Sequence, residues 1–328
     1  MMNSLGFLSG LDNGGYYFTL MRQSNVLAEK DPRKSYYFAK SVRGASIKGH
    51  GQVIINDGDP YWNFKYAKDI IGADIKAHGK VIIDCGDPEW NYMFANEIPG
   101  ADILAHGQAV IDSGNPKWNY RFADDIKGAD IKAHGQVIID SGDPEWNYKY
   151  ARYVLGSDIK AHGQVIIDSG DLNLIYRFAR NIDGVDYKRF GDAILASNNL
   201  EYICKFAEMI QEKWSCVNQL SFLDKLNSLT SIYRLSRVDL SEYERAIIES
   251  GDLEWNYKYA RDIPGADIRA HEKVILDSRN PEYCVMFAGD IMGANVEEFV
   301  KALSDCADDM ENKIAERRQA LIKEKNIN

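Results

Sequence analysis

Hydrophobic and polar positions along this chain recur every 28 residues. Trp62, Trp90, Trp118 and Trp146 stand 28 apart, as do His50, His78, His106, His134 and His162. A period of about 20–50 residues predicts a repeat architecture before any local element is assigned. Within one unit the pattern has the 3.6-residue spacing of helices. Trp146, Tyr150, Ala151 and Val154 share one face of a first helix, with Lys149 and Arg152 opposite. Ile159, His162 and Ile166 line a second helix, flanked by Val165, with Lys160 and Gln164 outward.

Start and stop signals bound both helices. Asp143 is an N-cap whose carboxylate accepts from first-turn amides, Pro144 is preset for the first helical position, and Glu145 complements the helix dipole. Gly156 is the stop after the first helix, Asp158 caps the second, and Gly170 ends it. Ala recurs at 39, 67, 95, 123, 151, 179, 207, 260 and 288, and Gly at 51, 79, 107, 135, 163 and 191. A mid-helix Gly costs roughly 1 kcal/mol against Ala, so both series point to close helix–helix approach. Helices this short are marginal alone and must be stabilised by stacking. The expected fold class is all-α: an α-solenoid, a right-handed superhelix of stacked two-helix repeats of period 28, HEAT-like in general architecture.

The domain reading follows the period. Residues 1–30 match poorly and read as an N-terminal cap, and residues 31–198 hold the regular repeats. First helices begin near Pro32, Pro60, Pro88, Pro116, Pro144 and Leu172, and second helices near Ser46, Asp74, Asp102, Asp130, Asp158 and Asp186. The first unit carries Lys34 and Ser35 where later ones carry Trp and Asn. Residues 199–251 read as two degenerate repeats with a local kink. Regular wording returns over 252–305, and 306–328 reads as a C-terminal capping helix or tail.

Composition changes this picture little. The chain has 45% hydrophobic and 27% charged residues, ordinary for a soluble protein. A net charge of −10 argues against a general phosphate-binding surface. Five cysteines without CxxC spacing indicate neither a disulfide framework nor a zinc site. No apolar run approaches a membrane span, and Met1–Gly10 lacks the basic start of a signal peptide. The expected location is the cytoplasm, bacterial or that of a phage host, with no membrane association.

All six histidines share one repeat position, which would suit a metal ladder only if they converged. One His per layer, on the order of 10 Å apart, cannot surround a zinc ion. Phe190, Tyr243 and Phe299 fill the same register, which favours a buried position over a functional ladder. Trp62, Trp90, Trp118, Trp146 and Trp255 read either as inter-repeat packing or as a partner-binding strip. Asn63, Asn91, Asn119, Asn147 and Asn256 sit where Asn is mediocre. They form either an asparagine ladder between units or a ligand-facing row. Lys48, Lys76, Lys132, Lys160 and Arg269 recur at one position as a candidate basic stripe. The repeated carboxylates are explained by capping, and no nucleophile motif, P-loop or GxGxxG is present. No catalytic residue, cofactor or metal is therefore expected.

The wording Gly142 to Ala151, with Gly128-Ala129-Asp130-Ile131 and its copies, resembles the short helical repeats (Gly-Asp-Pro-Glu-Tyr, Phe-Ala, Gly-Ala-Asp-Ile) of uncharacterised bacterial and bacteriophage proteins. It covers roughly residues 31–300. In those proteins the His-Gly of this chain is commonly Leu-Glu. The resemblance implies an α-solenoid of mobile-element or phage origin and transfers no activity.

The functional expectation is a non-enzymatic scaffold that binds a protein partner through a concave helical surface, in a phage setting an inhibitor of a host defence complex. The alternative is small-molecule or nucleic-acid binding in the superhelical groove. Self-association through the repeated surfaces stays open.

Overall fold

The computed structural model describes residues 20–220, 229–302, 314–319 and 322. The expected N-terminal cap before residue 20 and most of the expected C-terminal cap lie outside the described residues. The chain divides into two compact units, residues 1–165 and 166–328. Among the described residues there is no strand.

In the first unit, helical residues 20–28 precede five hairpins, the last of which ends three residues beyond the unit, at Asp168. The first helices are α1 (Pro32–Ser41), α3 (Pro60–Asp69), α5 (Pro88–Glu97), α7 (Pro116–Asp125) and α9 (Pro144–Tyr153). The second helices are α2 (Ile47–Asp57), α4 (Ile75–Asp84), α6 (Ile103–Asp112), α8 (Ile131–Asp140) and α10 (Ile159–Asp168). First helices pack on first helices and second on second, giving two layers. This is the α-solenoid architecture that the period predicts.

The caps act as the sequence indicates. Asp59, Asp87, Asn115 and Asp143 accept first-turn amides of the first helices, and Ser46, Asp74, Asp102 and Asp130 those of the second. The stop of the first helix differs in detail. The chain leaves the helix at an extended aliphatic residue, Ile70, Ile98, Ile126 or Val154, whose side chain is buried in the core. The left-handed glycine (Gly156, φ 88°) follows two residues later and turns the chain. Burial of the aliphatic side chain fixes where the helix ends, and the glycine fixes where the next one points.

The second unit contains α11 (Leu172–Asn181), α12 (Tyr187–Ala196), α13 (Leu200–Gln219), α14 (Leu229–Ser236), α15 (Leu240–Ser250), α16 (Leu253–Asp262), α17 (Ile268–Ser278), α18 (Pro281–Asp290) and α19 (Val296–Ala302). Here the expectation of two degenerate repeats meets a different pairing. Helix α13 runs for 20 residues, because Glu212 stands 28 residues after Gly184 and nothing turns the chain there. Its hairpin partner is α15, where Tyr243 stacks on Phe206 with ring centroids 5.6 Å apart. The extension of α13 and α14 is therefore an insertion within one hairpin. At the far end, Ile314 joins the core around Phe287 and Phe299, and Arg318 donates to the carbonyls of Ala288 (3.0 Å) and Ala294 (3.4 Å).

Arg279 occupies the left-handed position after α17 at φ 49°, where glycine stands in most other units. A side chain there costs on the order of 1 kcal/mol. Arg279→Gly is expected to raise the unfolding free energy by about that amount, read from urea denaturation. A lower value would show that the Arg279 side chain contributes more than its backbone costs.

Candidate functional site

The five asparagines occupy the fourth residue of the first helix, facing inward with no exposed surface. Asn119 shows the common geometry. Its Nδ2 donates to the Val110 carbonyl at the end of the preceding second helix (3.0 Å) and to the Asn115 carbonyl at its own N-cap (2.9 Å). Its Oδ1 lies 2.7 Å from Nδ1 of His134 in its own second helix. One amide thus ties three segments. Asn63–His78, Asn91–His106, Asn147–His162 and Asn256–His271 repeat the pair at 2.7–2.8 Å.

The donor pattern sets the tautomer. Both Nδ2 protons are used on carbonyls, so Oδ1 accepts and Nδ1 of each histidine carries the proton. Each ring also lies against the aromatic residue twelve positions earlier, with centroids 4.8–4.9 Å apart for Tyr66–His78, Phe94–His106, Phe122–His134 and Tyr150–His162. Burial pushes the pKa of His78, His106, His134 and His162 down to about 4. These rings are neutral packing groups, one per layer, and among the described residues no His, Cys, Asp and Glu cluster could hold a metal ion.

The mid-helix glycines find their reason here. A Cβ on Gly107 would lie 3.1 Å from Phe122 and 3.5 Å from Nε2 of His134. On Gly79 it would lie 3.1 Å from Phe94 and 3.2 Å from Nε2 of His106.

The asparagines, expected as candidates for partner contact, therefore lie beyond the reach of a partner. The tryptophans lie between that interior and the surface. Trp118 is buried, whereas Trp62, Trp90, Trp146 and Trp255 are half-buried. They pack across units: Tyr36–Trp62, Phe64–Trp90, Tyr92–Trp118 and Tyr120–Trp146 have centroids 5.4–5.8 Å apart. Cations cover several outer faces, Lys149 at 4.2 Å from Trp146 and Lys258 at 4.5 Å from Trp255. At the start of the stack the seam opens, where Tyr37 (52% exposed) and Tyr61 (44%) flank Trp62. Lys48, Lys76, Lys132, Lys160 and Arg269 are exposed on the other layer, the second helices. The stripe is interrupted by Leu104, and Arg269 pairs with the buried Glu272 at 2.8 Å.

Two cavities stand out. One, of about 450 Å³, lies between α4 and the start of α6, lined by Lys76, Gly79, Lys80, Asp102 and His106. The other, of about 480 Å³, is lined by Glu208, Gln211, Glu212, Asp262 and Pro264 in the second unit. The sequence gives no sign of that acidic cleft, because Gln211 and Glu212 lie in the part of α13 that departs from the period. Burial and the neighbouring Asp262 and Glu212 carboxylates push the Glu208 pKa up. Asp262 is held by Arg261 at 2.7 Å, and Glu212 pairs with Arg180 at 3.4 Å.

No family model matches the chain, and neither does any curated protein or solved structure. No helix among the described residues is long and apolar enough to cross a membrane.

Proposed function

We propose that this chain is a non-enzymatic repeat scaffold that binds a protein partner through a concave helical surface. The observation that carries this reading is the aromatic seam of the first helices. Its half-buried tryptophans are held rigidly by inter-repeat stacking, and Tyr37 and Tyr61 leave it open at the surface. Rigid aromatic anchors with cationic neighbours are the groups that carry most of the energy in protein interfaces. The histidines and asparagines, the residues best suited to chemistry, are spent on packing. In a phage or mobile-element setting the partner class is a subunit of a host defence complex, and its inhibition is the consequence of binding.

Affinity purification of the tagged protein from its native host, followed by mass spectrometry, tests the reading. A single stoichiometric protein is expected. Exchanging Tyr37 and Tyr61 for Ala should weaken its capture by about tenfold or more while the helical circular dichroism stays unchanged. A preparation without a protein partner, or capture indifferent to both tyrosines, overturns it.

A second reading, nucleic-acid or small-molecule binding in the groove, is favoured by the exposed Lys48, Lys76, Lys132 and Lys160 on the second helices. It requires oligonucleotide binding that weakens steeply as salt rises.

A further inference from the structure

The histidine series has one exception to its burial, and a cavity opens there. Five of the six imidazoles are fully shut off from solvent, whereas His106 keeps 1% of its surface and lines the cavity between α4 and the start of α6. Its Nδ1 is taken by Asn91 at 2.8 Å, and its Nε2 has no partner among the described residues. Burial holds the ring neutral, with its pKa down at about 4. Since Nδ1 carries the proton, Nε2 is an acceptor without a donor. The Asp102 N–H, ahead of the first turn of α6, is a donor without an acceptor among the described residues.

Two exposed ammonium groups stand at the rim. Lys76 has no carboxylate partner among the described residues, and Lys80 meets only the exposed Asp84, at 2.9 Å, a contact worth little. Lys80 also departs from the repeat, since Gln52, Gln108, Gln136 and Gln164 fill its register. Ile75 and Ile83 form an apolar wall, and the Asp102 carboxylate is engaged by the Ala105 N–H at 3.1 Å. The chain itself shows what such a pair of backbone and ring takes up. In the second unit one oxygen of Glu244 lies 2.5 Å from the Asp267 nitrogen and 3.4 Å from Nε2 of His271. Those two groups correspond to Asp102 and His106.

We infer that this cavity is a binding site for a small phosphate monoester. The site is independent of the aromatic seam, which lies on the first helices. Its volume of about 450 Å³ falls in the range of small-molecule pockets. A monoester keeps a proton on part of its population near neutral pH, its second pKa being about 6. The P–O–H donates to Nε2 of His106, and an anionic oxygen accepts the Asp102 N–H, as anions do at helix N-termini. Lys76 and Lys80 add charge-assisted contacts, and the organic group lies against Ile75 and Ile83. A carboxylate or a sulfate ester brings negative charge but no proton, so the imidazole selects against it. A phosphodiester of a nucleic-acid backbone lacks that proton too.

Phenyl phosphate, titrated calorimetrically onto the full chain at pH 6, tests the inference. Binding is expected, with phenyl sulfate weaker by about tenfold or more because it cannot donate to the imidazole. Lys76→Gln/Lys80→Gln should also lose about tenfold or more, with the helical circular dichroism unchanged, since both positions are exposed. Lys132→Gln/Lys160→Gln, which removes the same charge from other units, should bind as the unaltered protein does. On saturation the Asp102 amide and the His106 ring resonances should move together. A short phosphoserine peptide should bind more weakly than phenyl phosphate, because it brings no ring to Ile75 and Ile83. The inference is overturned by an absence of binding, by equal affinity for phenyl sulfate, or by an equal loss in the Lys132/Lys160 variant. Tighter binding of the phosphoserine peptide, or Asp102 and His106 resonances that stay still, overturns it as well.

Discussion

Lowering the pH from 7 to 5 is expected to destabilise the repeat array by several kcal/mol, well before its carboxylates titrate. The cause is the buried imidazole series. His78, His106, His134 and His162 have pKa values moved from 6.5 to about 4 by burial. In the unfolded chain they titrate near 6.5. Between these values the unfolded state takes up protons that the folded state refuses, so stability is full above about pH 6.5 and is lost progressively as pH falls toward 4. At about 1.36 kcal/mol per pH unit the loss at pH 5 reaches roughly 2 kcal/mol per histidine, a ceiling that solvent screening reduces. Four such groups together approach the whole stability of an ordinary domain.

Urea denaturation at pH 7, 6 and 5 would measure the effect, and histidine ring resonances would assign it. The four rings should remain neutral down to about pH 5. His271 stands apart, because Glu244 opposes the downward push of burial. A midpoint that does not move between pH 7 and 5, or ring resonances titrating near pH 6.5, would sink this account.

Much of this architecture is legible in the sequence, and the reason is local. Pro144 after Asp143, and Gly156 before Asp158, decide where the backbone can and cannot be helical, so the hairpin follows from neighbours in the chain. The site is less legible, since it depends on where side chains from different helices meet. Asn119 and His134 are 15 residues apart, and nothing in either residue type says that one amide will satisfy a histidine and two carbonyls at once. The signal was nonetheless present in the exceptions. Where Asn gives way to Ile175, His gives way to Phe190, and where it gives way to Cys284, His gives way to Phe299. The insertion in α13 is less legible, because it turns on Glu212 standing where the period calls for a glycine, and loss of a stop signal leaves the same trace in a sequence as a degenerate repeat.

That paired exchange is an experiment the chain has already performed, and it sets the second large expectation. Asn119→Ile alone should destabilise the protein by about 1–3 kcal/mol, since it leaves the buried His134 Nδ1–H without its acceptor, while the Val110 and Asn115 carbonyls keep the Ser113 hydroxyl and the backbone N–H of residue 119. His134→Phe alone strands the Asn119 Oδ1 in the same way and should cost about 1–3 kcal/mol. Together they reproduce the Ile175/Phe190 unit, in which the phenyl ring stacks on Phe178 at 5.1 Å. The double variant should therefore recover about 2 kcal/mol or more relative to the sum of the singles, the coupling range of residues in one hydrogen-bond network. Urea unfolding of the four proteins closes the cycle. Strictly additive losses would show that the asparagine and histidine are buried side by side without depending on each other. The ladder would then be a by-product of the repeat, and the shared spacing of Asn and His within this chain would need another cause, such as the stacking of each imidazole on the aromatic ring twelve residues before it.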